Sequence, residues 1–155
     1  MERYRAIIIR DGKLVVMKRV RNGNLFYVFP GGGLEGKETP EQCCKREVME
    51  EFGIEVKPRK MIYYTKQANL IQGYFVCDWI SEEIHKTDAE EYSIKDPTEY
   101  GTYEPTTIEL KDIDKYNLLP TEVVDHLVQD LKDYGTELNR PLIQYECKFE
   151  IKKSK

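Results

Sequence analysis

The 155-residue chain is short of the side chains that bind soft or borderline metals, with two histidines, His85 and His126, and four cysteines. Cys43, Cys44, Cys77 and Cys147 show no CxxC spacing and have no histidine cluster beside them, which speaks against a zinc site. On a helix Cys43 and Cys44 would point about 100° apart, so buried or half-buried reduced thiols are expected. Long hydrophobic runs are missing as well. Ala6 to Ile9 and Leu14 to Met17 fall far short of the ~20 residues of a membrane span, so no membrane partner is expected. The stretch Met1-Glu2-Arg3-Tyr4-Arg5 leads straight into a strand-like run and lacks the apolar stretch and cleavage site of a secretory signal; a cytoplasmic location is the default expectation. The only basic tract is Lys152-Lys153-Ser154-Lys155 and the net charge is −4, which disfavours wrapping of a long nucleic acid. A small phosphorylated substrate that carries its own metal is compatible with that charge. No repeat, low-complexity stretch or Pro/Gly/Ser-rich linker divides the chain, so residues 1–155 are expected to form one domain.

What is present is punctuated clearly. Arg3 to Ile9 and Lys13 to Lys18 are aliphatic and β-branched, and Asp11-Gly12 between them signals a hairpin. After a polar turn at Arg21 to Asn24, Leu25 to Phe29 reads as a short strand ended by Pro30 and a glycine loop. That loop feeds a helix with Thr39 as N-cap, Pro40 at the first position, Gln42 completing a capping box and Gly53 as the stop. Further strands are expected at Met61 to Gln67, Gly73 to Ile80 and Thr106 to Leu110. A second helix is expected over Thr121 to Tyr134, where Val123, Val124, Leu127, Val128 and Leu131 recur at helical spacing, with Gly135 as its end. Alternation of Ile143, Tyr145, Cys147, Phe149 and Ile151 predicts a half-buried C-terminal strand within 142–151. As a sheet edge it leaves a homodimer open. The acidic stretch Ser81 to Tyr103 reads as a long loop. One mixed sheet flanked by helices, an α/β (α+β) arrangement, accounts for the pattern.

The first helix carries the chemistry. At 100° per residue, Glu47, Glu50 and Glu51 fall within about 100° of one another, while Cys44, Val48 and Phe52 share another face. Like charges at these spacings cost a few tenths of a kcal/mol per pair, and Glu50 and Glu51 also sit at the electronegative helix end. Arg46 can pair with Glu50 at i+4, but one guanidinium does not neutralise three carboxylates. A divalent cation would. The donors are all oxygens, which selects hard ions such as Mg2+ or Mn2+. On its own, Glu-x-x-Glu-Glu is equally what a solvated acidic helix face looks like, so the context decides.

Gly32 is followed by Glu38, then Arg46-Glu47-Val48, Glu50-Glu51 and Gly53-Ile54. This resembles the Nudix box of the Nudix hydrolases, of the MutT-like subgroup, and every position of that pattern is matched. By ordinary residue usage such a match arises by chance at about one start in several billion, so the motif is specific. Phe29-Pro30-Gly31-Gly32 at its entry fits too.

The resemblance implies the Nudix fold, an α/β/α sandwich with a mixed central sheet. It also implies metal-dependent hydrolysis of a pyrophosphate bond in a nucleoside diphosphate-linked substrate. It makes Glu47, Glu50 and Glu51 the metal-site carboxylates, with a carbonyl from Gly31. Glu47 is our choice for the base or water-orienting group, a role that some members place in a later loop. Arg46 would hold a carboxylate in place, Glu38 would bond within the loop or near the helix start, and Gly32 and Gly53 would shape the turns. Another metal carboxylate is expected from the acidic loop, with Glu99 as the choice. Arg5 and Lys18 could face phosphates; Tyr27 or Phe75 could stack on a base; Asn117 and Thr121 lie where MutT-like enzymes contact the purine. The proline expected near Asn69 and Leu70 in ADP-ribose hydrolases is absent, as is the long aromatic-proline motif of the NADH-cleaving branch. A nucleoside triphosphate, oxidised or not, giving the monophosphate and pyrophosphate is what remains. ADP-ribose, dinucleoside polyphosphates and nucleotide sugars stay as alternatives within the enzymes, and a nucleotide-binding sensor that does not turn over is the alternative outside them.

Overall fold

The computed structural model describes residues 1–81 and 101–147. Two tight hairpins open the chain. Strands β1 (Glu2–Arg10) and β2 (Lys13–Arg21) are joined through Asp11 and Gly12, and β2 turns into β3 (Asn24–Val28) through Asn22 and Gly23. All four turn residues have positive φ of 54–79°, the backbone a two-residue type I′ turn requires and the reason for Asp-Gly and Asn-Gly there. Beyond its first turn the β1/β2 pair forks. β1 keeps β2 only at Ile9 and Arg10, and at Arg3 to Arg5 it pairs instead with β4 (Gly31–Gly33). On the other arm β2 pairs with β3. The Phe29-Pro30 step between β3 and β4 therefore spans the mouth of the fork.

Helix α1 (Pro40–Phe52) follows, with the expected boundaries. The Thr39 hydroxyl accepts from the Gln42 N–H, the Gln42 side chain accepts from the Thr39 N–H, and Gly53 closes the helix in the left-handed conformation. Strands β5 (Val56–Gln67), β6 (Leu70–Trp79) and β7 (Thr102–Glu109) come next, followed by a 3-10 turn (Leu110–Lys115), β8 (Leu118–Leu119), α2 (Thr121–Tyr134) and β9 (Ile143–Glu146). The sheet runs β8-β3-β2-β1-β6-β5-β9, with β4 on β1 and β7 on β2. It is mixed: β1/β6, β3/β8 and β5/β9 are parallel and the other pairs antiparallel. Among the described residues this is an α+β arrangement with one helix on each face.

Several strands are longer than the periodicity predicted. β5 starts at Val56, ahead of Met61, because Lys57, Pro58, Arg59 and Lys60 hide it in a charged run with a register irregularity after Pro58. β7 starts at Thr102 and includes Pro105, which opposes Met17; among the described residues β2 is its only sheet partner, so the missing N–H can sit on the open side. The glycine segment, expected as a loop, makes a strand of its own. Of the acidic stretch, 82–100 lie outside the described residues, as do 148–151 of the C-terminal strand.

Two apolar layers form. On one face α1 buries Cys43, Cys44, Val48 and Phe52 against Ala6, Ile8, Val15, Met17, Phe75 and Cys77. On the other, Val123 and Leu127 of α2 pack on Ile7, Val16, Tyr63, Tyr74 and Val76. Burying a Val or Phe fully contributes about 1.5–3 kcal/mol, several times the repulsion among neighbouring carboxylates, so packing fixes α1 despite its acidic face. Phe75, considered for base stacking, is one of these core residues, 3% exposed and beside Tyr4; that assignment is corrected here. Because the cap sets where α1 begins, Thr39→Ala is expected to lower the unfolding free energy by about 1 kcal/mol, read as a shifted urea midpoint with unchanged slope.

Candidate active site

The site forms where α1 meets β4. Glu51 Oε1 accepts the Gly31 N–H at 3.2 Å. One turn earlier, Glu47 lies against Gly32 so closely that a Cβ built on Gly32 would fall inside its carboxyl group. Gly31, at φ +142°, leaves no room either, since a Cβ there would strike the Tyr4 carbonyl and the Arg5 backbone. Gly31 is thus required by space, Gly32 lets the Glu47 carboxyl rest where it does, and two carboxylates address consecutive peptide units of β4.

Arg46 organises the acidic groups around it. Its guanidinium donates to Glu38 at 2.7 and 3.0 Å, to Glu47 at 2.9 Å, to Glu50 at 3.3 Å and to the Gly33 carbonyl at 3.0 Å. The same Glu38 carboxylate accepts the Glu35 N–H. These bonds hold Glu38 down to about 2. Glu38 therefore ties the loop to the helix, as the sequence suggested, and Arg46 clamps carboxylates while packing beside them. Glu50 is turned outward, with a 58% exposed side chain against 15% for Glu47.

Electrostatics separate the three glutamates further. Burial pushes the Glu51 carboxyl up to about 7, opposed by the Gly31 N–H and Arg5 and reinforced by Glu47. Glu47 is also raised, by burial first, with Arg46 opposing. Among the described residues no three acidic, histidine or cysteine side chains converge as a ready metal cage, because Arg46 engages both Glu47 and Glu50. The donor set nonetheless fits a hard divalent cation. Glu47 and Glu51 present oxygens only, and both sit where burial penalises their ionised forms, a penalty that an adjacent cation would offset. Glu99 lies outside the described residues.

The cations nearby are not arranged as the sequence suggested. Arg5 is half-buried, and its Nη1 donates to the carbonyls of Phe29 (3.1 Å) and Gly31 (3.3 Å) while Nε donates to Gln72 (3.0 Å). It braces the mouth of the fork and holds the Gly31 carbonyl. Lys18 shares with Val16 the sheet face under α2, whereas its neighbour Arg19 follows Met17 onto the α1 face. Arg19 was not singled out from sequence. Its guanidinium lies 3.7 Å over the Tyr103 ring and 5.5 Å from the Phe26 centroid, and its Nε donates to the Thr102 carbonyl at 3.1 Å. Burial lowers its pKa, and Glu51 is close enough to act on it. The available signal was the period-2 alternation of β2, which puts residue 19 on the face of Val15 and Met17.

The residues considered for base contact gather at the other arm. Tyr27 stacks edge-on with Tyr116 at 5.4 Å. The Tyr27 N–H donates to the Asn117 carbonyl, and the Asn117 side chain donates to the Leu25 carbonyl; Thr121 is exposed at the start of α2. Next to them a cavity of about 150 Å3 is lined by Arg5, Phe29, Gln72, Tyr74, Leu119 and Pro120 among others. Among the described residues no helix is long and apolar enough to cross a membrane.

Comparison with known proteins agrees with this geometry. The chain is 32% identical over 90 residues to a MutT-like protein of Streptomyces ambofaciens, covering 57% of this chain and 56% of that protein. It is also 32% identical over 88 residues to an 8-oxo-dGTP diphosphatase of Haemophilus influenzae, covering 53% and 65%. It thus spans between about half and two thirds of the length of these relatives. In three dimensions it resembles a NUDIX hydrolase from Nitrosomonas europaea with a TM-score of 0.72, at 14% identity, over 96% of this chain and 78% of that one. The NUDIX domain model matches residues 2–124, a span that holds the whole Gly32 to Ile54 motif and both arms of the fork, and the chain belongs to the NUDIX family.

Proposed function

We propose that the protein is a Mg2+- or Mn2+-dependent pyrophosphohydrolase that converts a nucleoside triphosphate, oxidised or not, to the monophosphate and pyrophosphate. The observation that carries this reading is the pair Glu47 and Glu51 held on the consecutive glycines of β4, with Arg19 on the same face of the sheet. NUDIX hydrolases use divalent metal ions, and Glu47, Glu51 and the Gly31 carbonyl would hold one here, with Glu50 joining from its exposed position. A bound divalent ion neutralises the diphosphate and makes a water more acidic. Glu47, kept in place by Arg46, would orient a water and accept its proton as the water oxygen adds to phosphorus and the P–O bond between the α and β phosphoryl groups breaks, giving the monophosphate and pyrophosphate. Arg19, its guanidinium flattened on Tyr103, offers donors to phosphate oxygens. The nucleoside would lie toward the cavity beside Arg5 and Pro120, in reach of Asn117 and Thr121 at its rim. We read residues 1–155 as one domain acting in the cytoplasm on small nucleotides, and the edge strand β9 as the surface for a second copy.

A phosphate-release assay with added pyrophosphatase, run with Mg2+ or Mn2+, tests this directly. The panel should include nucleoside triphosphates, oxidised dGTP, ADP-ribose, dinucleoside polyphosphates and nucleotide sugars. Pyrophosphatase-dependent release from a triphosphate is expected; binding without release from any substrate would make the protein a sensor. Glu51→Gln should lower kcat by about 10²-fold or more through lost charge at the metal while the melting temperature without metal is not reduced. Unchanged turnover would remove Glu51 as a ligand. Arg19→Ala should raise KM about tenfold or more, the worth of a hydrogen bond to a charged group, and a Lys at this position should recover part of the loss. Chelation of divalent ions should abolish turnover, and adding Mg2+ should raise the melting temperature of the parent protein more than that of Glu51→Gln.

A further inference from the structure

One pair of reactive groups takes no part in the proposed reaction. The Sγ atoms of Cys44, on α1, and Cys77, on β6, are 3.8 Å apart, although the residues stand 33 positions apart in sequence. Both are buried and neither is in a disulfide. The other two thiols are directed elsewhere: Cys43 faces the Gly32 carbonyl at 3.6 Å, and Cys147 lies at the far edge of the sheet, where its N–H bonds to Lys66.

We propose that Cys44 and Cys77 form an oxidant-sensitive pair that closes to a disulfide between the NUDIX helix and the central sheet. The gap to close is from 3.8 Å to about 2.05 Å, and rotation about the two Cα–Cβ bonds changes the sulfur separation. The oxidant is a small peroxide. Hydrogen peroxide oxidises one thiol to a sulfenic acid and leaves as water; the second sulfur displaces the hydroxyl, which departs with its proton as a second water. Two thiols and one hydrogen peroxide thus give one disulfide and two waters, with two electrons leaving sulfur as the O–O bond breaks. The hydrogen bond shared with Cys44 and burial both raise the Cys77 thiol, so closure is slow and selects small, uncharged oxidants over bulky disulfides such as oxidised glutathione. Cys44 lies one helical turn before Glu47, so the bond would fasten the helix next to its carboxylates.

The test uses the full chain under native conditions. Hydrogen peroxide should lower the intact mass by about 2 Da, the two hydrogens lost on disulfide formation. A non-reducing peptide map should then join the Cys44 and Cys77 peptides, dithiothreitol should reverse both changes, and the melting temperature should rise while the bond is closed. Cys147→Ser should cross-link as the parent does. Cys44→Ala and Cys77→Ala should each lose the cross-link. Because those variants alter the core, the map of the unmutated chain decides the matter. A different cysteine pair, a sulfenic or sulfinic acid at either residue without cross-linking, or no reaction under conditions that oxidise the urea-unfolded chain would each overturn the proposal.

Discussion

The contact between two glutamates and a strand without side chains governs this molecule. β4 is three glycines, and the absence of side chains at Gly31 and Gly32 lets α1 lie so near that Glu47 rests on Gly32 while Glu51 accepts the Gly31 N–H. Any Cβ at Gly32 would occupy the volume of the Glu47 carboxyl. The close approach has an electrostatic consequence. It removes water from two acids on one helix face and drives both carboxyls upward, Glu51 to about 7. The folding energy for this arrangement comes from the opposite side of the helix, where Val48 and Phe52 are buried. The apolar face thus sustains a polar face that would not assemble on its own.

Arg46 holds that polar face together. It reaches Glu38, Glu47 and Glu50 at once and also holds the Gly33 carbonyl. Four acceptors around one planar guanidinium match its fork of donors, which a lysine could not reproduce. Glu38 is fully ionised in this company. Glu51, one turn beyond, accepts the Gly31 N–H and lies in the field of Arg5 across the fork. The two ends of the acidic row differ in surroundings: Glu38 locks the loop to the helix through Arg46, while burial raises the Glu51 carboxyl, a penalty that an adjacent cation would offset.

Legibility in the sequence followed the range of the interaction. Both helices could be placed to the residue because their stops and starts are local: a capping box at Thr39 and Gln42, the glycines 53 and 135, and Pro120. The box from Gly32 to Ile54 was equally readable, since its spacing encodes which side chains share a helix face. Strand β4 escaped because glycine carries no periodic signal, and its pairing with Arg3 to Arg5 depends on β1 and β2 parting company. Arg5 was expected toward phosphates, but its donors go to Phe29, Gly31 and Gln72, acceptors supplied by three distant parts of the chain. Lys18 and Arg19 differ by one step of a strand, which reverses the face. The base-contact residues were less legible still. Tyr27 and Asn117 turn out to be joined to each other through the β3/β8 pairing, and no local pattern announces a two-residue strand.

The fork in the sheet connects these particulars. If β1 and β2 stayed paired along their lengths, the Phe29-Pro30 step would have no gap to span and β4 could not reach β1. Arg5 stands at that gap with its backbone carbonyl near the Cys44 thiol and its side chain across the strands. It therefore touches the helix, the glycine strand and β6 together. Burial lowers its pKa, while Tyr74, Glu51 and Glu47 act to keep it charged. The carboxylates of α1 thus sustain the cation that fixes the Gly31 carbonyl, and that carbonyl lies next to the peptide N–H to which Glu51 is bonded. Helix, strand and fork each supply a charge or a dipole that the other two need, so the site depends on the whole fold although its motif occupies only 23 consecutive positions from Gly32 to Ile54.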